Sequence, residues 1–204
     1  MMLKKWWAAL LLLVSAVAMA DIQPGRDYVE LRAPQPSGAP AGKVEVIEFF
    51  SYTCIHCYRL EPAVESWAAK LPAHVSFRRE QIVWSKEMEP LARLFATQRQ
   101  MGLLDKLHKP VFDAMMRDKQ NLADEKLLTP FLKAQGVDAN AFLQTSKSFG
   151  MASQVSRAAK MTRDYQIEGT PTFVVAGRYA TMAAEPTRLL QVVDELIAKA
   201  KNGR

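Results

Sequence analysis

Cys54 and Cys57, the two cysteines of this 204-residue chain, stand three residues apart where the sequence changes its period. Before them, VEVIEFF (residues 44–50) is β-branched and aromatic, the pattern of a buried strand. After them, Leu60, Ala63, Val64, Trp67 and Leu71 recur at helical spacing. Ser51, Tyr52 and Thr53 make the turn between, with Ser51 or Thr53 the expected cap of the helix. Cys54 therefore falls at a helix N-terminus, and Cys57 lies one turn inside, close enough to bond to it. Pro62, two turns in, is expected to kink or locally open the helix.

Two thiols so placed suggest a structural disulfide, half of a metal site, or a redox centre. A bridge stabilises mainly by closing a loop in the unfolded chain, and a loop this short gives little. A chain of this length, 49% hydrophobic and 24% charged, can bury a core without staples. Zinc usually takes four ligands. The chain has three histidines, and His74 and His108 do not repeat the cysteine spacing. A c-type haem site needs His directly after the second Cys, where Tyr58 stands.

The redox reading fits the helix. Unsatisfied N–H groups and the positive end of the dipole favour an anion at its start, and a thiolate is one. A thiol pKa lowered by ~3 pH units corresponds to ~4 kcal/mol, or ~90 mV if all of it reaches the redox couple. A stabilised thiolate favours the reduced form and makes the disulfide a stronger oxidant. His56 can add a hydrogen bond or partial positive charge, although an exposed filler of the turn is the plainer alternative. Ile55 can only shape the surface.

The first twenty residues differ in kind. Lys4 and Lys5 form a positive head, Ala8 to Val17 are apolar, and Ala18-Met19-Ala20 is a small-x-small cleavage site. This is a secretory signal peptide, expected to be cleaved after Ala20. The apolar run is short of the ~20 residues a membrane span needs. Cleavage lowers Lys plus Arg from 27 to 25 against 21 acids, so the formal charge falls from +6 to +4. The remaining basic residues are scattered, without the dense patch and stacking aromatics of a nucleic-acid binder. Outside the cytoplasm a cysteine pair can persist as a disulfide.

Residues 21–43 are rich in Pro and Gly and read as an extended lead-in, with Tyr28 to Leu31 a short edge strand. VSFRRE (75–80) alternates like a strand. From about Glu87 to Tyr165 the pattern is helical. One helix ends at Gly136, Asp138 is a candidate cap for the next, and Pro130 either starts a helix or bends one. TFVV and RYAT form a hairpin around Gly177, and a last helix from Pro186 turns Leu189, Leu190, Val193, Leu196 and Ile197 inward. The methionines of the helical stretch, Met88, Met101, Met115, Met116, Met151 and Met161, read as core filling. Some apolar surface is expected near Cys54. Glu45 and Glu48 point to opposite faces of their strand. If both faces are covered, at least one acid is partly buried and holds its proton longer than usual.

EFFSYTCIHCYRLEP resembles the active-site segment of the DsbA family, periplasmic thiol:disulfide oxidoreductases with a thioredoxin fold. IEGTPTFVVAGRY (167–179) resembles that family's cis-proline loop and following hairpin, and the helical stretch resembles its inserted domain. The resemblance implies an α/β, thioredoxin-like fold with an inserted helical domain. The thioredoxin-like parts would be residues 21–84 and 163–204, the insertion 85–162, and the signal peptide 1–20. It implies that Cys54 is the exposed nucleophile, Cys57 the buried resolving thiol, His56 the second dipeptide residue, and Glu48 the buried acid assisting proton transfer. It also implies a cis bond at Pro171, against the general preference of X–Pro bonds for trans. Thr170 and Pro171 would then face the sulfurs and, with Ile55, meet the client, pairing with it as an added strand. The family is itself a standard example of a depressed cysteine pKa and an oxidising couple. The departure is Ile55, where the best-known members carry Pro; it bears on the potential and leaves the chemistry intact.

The resulting expectation is a monomeric periplasmic oxidase, without metal or cofactor, that donates a Cys54–Cys57 disulfide to reduced or unfolded exported proteins. A DsbB-like inner-membrane quinone reductase would reoxidise it. Alternatives are an isomerase or reductase, whose dimerisation module finds no room in the short lead-in, and a non-catalytic client-binding module with an inert disulfide.

Overall fold

The computed structural model describes residues 21–203; the expected signal peptide lies outside them. Five strands form one sheet: β1 (Tyr28–Glu30), β2 (Val44–Phe50), β3 (Val75–Gln81), β4 (Thr172–Val175) and β5 (Tyr179–Thr181). Their order is β1-β5-β4-β2-β3, with β2 and β3 parallel and the other neighbours antiparallel. All seven residues of β2 are buried, as its β-branched and aromatic pattern predicts, and Glu45 and Glu48 are buried with the rest. β3 does not keep the expected alternation: Ser76 to Arg79 are all partly exposed, because it is the outer strand.

Helix α1 (Ile55–Ala68) follows β2. Between β3 and β4 come α2 (Glu89–Gln100), α3 (Leu104–Phe112), α4 (Glu125–Ala134), α5 (Ala139–Ser146) and α6 (Phe149–Asp164), and α7 (Pro186–Asn202) closes the fold. Gly136 follows α4 with φ +64°, a left-handed conformation suited to glycine, and Asp138 caps α5 through the Asn140 and Ala141 N–H groups. Pro130 lies within α4. α1 runs as a single helix through Pro62 instead of opening there; buried Leu60 and Val64 hold it to the sheet on either side of the missing N–H. Among the described residues no helix is long and apolar enough to cross a membrane.

The alternation of β2 divides the core. Val44 and Val46 pack with α1 and α7, whereas Ile47 and Phe49 pack with Met161 and Tyr165 at the end of α6. Phe50 enters a third cluster, built with Leu94 and Phe95 of α2, Leu107 and Phe112 of α3, and Leu128 and Leu132 of α4. Met115, Met151 and Met161 are buried, and Met88, Met101 and Met116 pack partly buried against the core, so core filling is their role. The helical layer thus rests on the C-terminal end of β2, where the two cysteines begin.

Candidate active site

Cys54 is the N-cap of α1, with extended backbone (φ −93°, ψ 113°), and its Sγ accepts the Cys57 N–H at 3.2 Å. The cap expected from Ser51 or Thr53 is therefore the sulfur itself. Ser51 turns inward, its Oγ 2.8 Å from the Thr53 hydroxyl and accepting the Thr53 N–H, so neither reaches the helix. Both cysteines are free thiols here; Cys54 is half-buried and Cys57 fully buried.

The Cys54 pKa falls to about 5. A hydrogen bond from the Cys57 thiol is the largest cause, opposed by partial burial; the Thr170 side chain and the Cys57 and His56 backbone N–H groups lower it further. The Cys57 thiol is pushed far up, first by burial, then by donating to Cys54 and by the nearby negative charge of Cys54 and Glu48. One thiol is thus a ready nucleophile and leaving group at neutral pH, and the other keeps its proton.

Thr170 and Pro171 approach from the sheet. Their peptide bond is cis, and the Thr170 carbonyl accepts the Cys54 thiol at 3.3 Å. Ile55, 40% exposed, presents an apolar side chain beside the sulfur. His56 is exposed, and no hydrogen bond joins its ring to Cys54; its contribution to the thiolate comes through its backbone N–H.

Beneath the thiols lies a buried polar cluster that only Glu48 announced in the sequence. Glu48 and Glu45 do point to opposite faces of β2, and both are buried. Glu48 shares Arg79 of β3, its register partner, with Glu61 of α1: Arg79 Nε donates to Glu48 Oε2 at 3.1 Å and Nη2 to Glu61 Oε1 at 2.5 Å. One guanidinium cannot neutralise two buried carboxylates, so the cluster must hold a proton. Burial first, then the charge of Glu61, raises Glu48 to about 8 against the pull of Arg79. Burial raises Glu61 to about 7, again opposed by Arg79. Glu61 could have been found in the sequence: with Cys57, Leu60 and Val64 it occupies the buried face of α1, a charge in an apolar phase. Among the described residues no group of three or more His, Cys, Asp or Glu could hold a metal ion.

Known proteins resemble this chain in sequence and fold. Residues 45–196 match the family of DSBA-like thioredoxin domains. A protein named thiol:disulfide interchange protein DsbA from Azotobacter vinelandii is 40% identical over 192 residues, 93% of this chain and 89% of the relative. One of the same name from Burkholderia cepacia is 35% identical, covering 98% of this chain and 99% of the relative. The crystal structure of Pseudomonas aeruginosa DsbA superposes with a TM-score of 0.83 at 37% identity, covering 88% of this chain and 94% of that one. The oxidoreductase NmDsbA1 from N. meningitidis gives 0.82 at 33%, covering 90% and 96%.

Proposed function

The chain belongs to the DSBA-like thioredoxin domain family and is a thiol:disulfide oxidoreductase; we propose that it works in the periplasm as a dithiol oxidase, passing a Cys54–Cys57 disulfide to exported proteins. The observation that carries this direction of transfer is the Cys54 sulfur capping α1 with its pKa near 5, above a Cys57 that keeps its proton. An anion so stabilised favours the dithiol over the disulfide.

A client thiolate attacks Cys54 Sγ. The bond to Cys57 breaks, and Cys57 leaves with the electron pair and takes a proton, for which protonated Glu48 is the nearby donor. A second client thiolate attacks the client sulfur of the mixed disulfide and expels Cys54 as a thiolate. The client loses two electrons, and the pair gains them. Thr170, Pro171 and Ile55 would guide the client segment to the sulfur. A DsbB-like quinone reductase would reverse these steps to reoxidise the pair, and cleavage after Ala20 would release the mature chain. The domain division at residues 84/85 and 162/163 goes with the same reading: α2 to α5 lie inside the proposed insertion, and α6 ends two residues past it.

The test is the thiolate absorbance of the reduced protein against pH, paired with equilibration in glutathione buffers. The expected result is a Cys54 pKa several pH units below the ~8.5 of a free thiol, with a potential more oxidising than that of glutathione. A pKa near that of a free thiol, with a low potential, overturns the oxidase.

A further inference from the structure

His108 of α3 is buried and takes no part in the steps above. It sits among the rings of Phe50, Tyr52, Phe95 and Phe112, with centroids 5.0 to 6.0 Å away. Its Nδ1 lies 2.8 Å from the Tyr52 hydroxyl, and its Nε2 faces Glu61 Oε2 at 3.5 Å. The Tyr52 hydroxyl also meets the Gln98 side-chain amide, 3.2 Å from its nitrogen and 3.3 Å from its oxygen. With the amide N–H as donor, the Tyr52 proton goes to His108 Nδ1 and the ring proton sits on Nε2, toward Glu61; this is the tautomer the proposal below takes. Polar contacts thus run from Gln98 of α2 through Tyr52, His108, Glu61 and Arg79 to Glu48 under the cysteines.

The two carboxyls differ in what they are offered. Glu61 has Arg79 on one oxygen, and 3.5 Å from the other lies His108 Nε2, a buried atom with no hydrogen-bond partner of its own. Glu48 has Arg79 on Oε2, while its buried Oε1 has no partner. An unpartnered buried oxygen is far cheaper on a neutral acid than on an anion. We propose that His108 carries its ring proton on Nε2 and is a positioning residue whose N–H dipole holds Glu61 as the ionised member of the pair, so that the one shared proton rests on Glu48, where Cys57 can take it. The inference rests on Glu48 being the acid for Cys57.

His108 itself stays neutral, its pKa lowered to about 3 by burial and by Arg79, with Glu65 opposing. It therefore acts as a dipole and carries no charge at working pH. The charged or titratable groups facing this pair are Arg79 from β3, Glu65 and Cys57 from α1, Cys54 at its cap, and Tyr52 and His108 behind.

The test measures single-turnover oxidation of a reduced dithiol peptide by the oxidised protein across pH, divided by the peptide's thiolate fraction. Wild type, Glu48→Gln, His108→Leu, His108→Gln and the Glu48→Gln/His108→Leu double variant are compared. The wild-type rate should fall as rising pH strips the shared proton. Without its donor Glu61 competes for that proton, so His108→Leu should be slower at neutral pH, with its midpoint about one pH unit higher. His108→Gln, which can still donate, should restore much of the profile, and His108→Leu should add nothing to Glu48→Gln. An unmoved midpoint in His108→Leu, or a slowing that persists undiminished in the double variant, overturns the role of His108. An unchanged rate in Glu48→Gln overturns the reading of Glu48 itself. If His108→Leu does not fold, infrared spectroscopy decides. The protonated-carboxyl stretch at neutral pH should vanish in Glu48→Gln; a stretch that persists there places the proton on Glu61 and overturns the proposal.

Discussion

Glu45 and Glu48 are the same residue type, three positions apart on one strand and equally buried, yet their surroundings prepare them for different work. Glu45 Oε1 accepts Arg78 Nε at 2.9 Å, and its Oε2 accepts the Gly38 N–H at 3.1 Å. Arg78 continues to Glu80, which Arg99 of α2 also reaches. Both oxygens of Glu45 are bonded, and this carboxylate ties the lead-in and β3 to the sheet. Glu48 shares its arginine with a second carboxylate and leaves one oxygen bare. Burial alone does not make an acid chemically active. What separates the two is whether the neighbours satisfy the anion or leave room for a proton.

The strongest way to break this comparison is Arg78→Leu. It strands Glu45 with a backbone N–H alone and should cost about 3 kcal/mol in urea unfolding, the low end for a broken buried pair because Arg78 is partly exposed. The oxidation rate per folded molecule should change by less than about twofold. A comparable fall in rate would mean that the two faces of β2 are not separate.

Glu48→Gln sharpens the same contrast from the other side. At neutral pH it should slow peptide oxidation by about tenfold, ~1.4 kcal/mol in the barrier. Stability should hold or rise, because Arg79 then serves Glu61 alone. A large loss of stability with an unchanged rate would exchange the roles of the two acids.

The last test is a slope. Glu48 has a raised pKa in the folded chain, from an ordinary 4.5 to about 8, so its stabilising effect is complete below 4.5 and lost as pH rises through 8. Cys54 runs the other way: lowered from 9.0 to about 5, it stabilises the reduced protein fully above 9.0 and loses that as pH falls through 5. Comparing reduced wild type with reduced Glu48→Gln cancels the Cys54 part. In denaturant unfolding the variant should gain on wild type from pH 4.5 to 8. A flat difference across that window would remove the proton from Glu48.

What could be read in the sequence was what local periodicity encodes. The change from VEVIEFF to the helical spacing after Cys57 placed one thiol at a helix start and the other inside, and the alternation of β2 separated Glu45 from Glu48. The cap was misjudged because Ser51 and Thr53 have hydroxyls that bond to each other, and a cysteine is not the usual cap. The cis bond before Pro171 was accessible through family resemblance alone, since local sequence favours trans. The cluster under the thiols was the least visible. Arg79, Glu61, His108 and Gln98 come from four elements, and only the folded chain brings them together.

One atom does double duty in this fold. The sulfur that a client attacks in the proposed mechanism is also the group that ties down the first turn of α1. As a thiolate it holds the Cys57 amide with a full charge; joined to another sulfur it offers a neutral lone pair. Every cycle of oxidation and reduction therefore slackens and re-tightens the start of the helix, and the client is released at the moment the helix recovers its anchor.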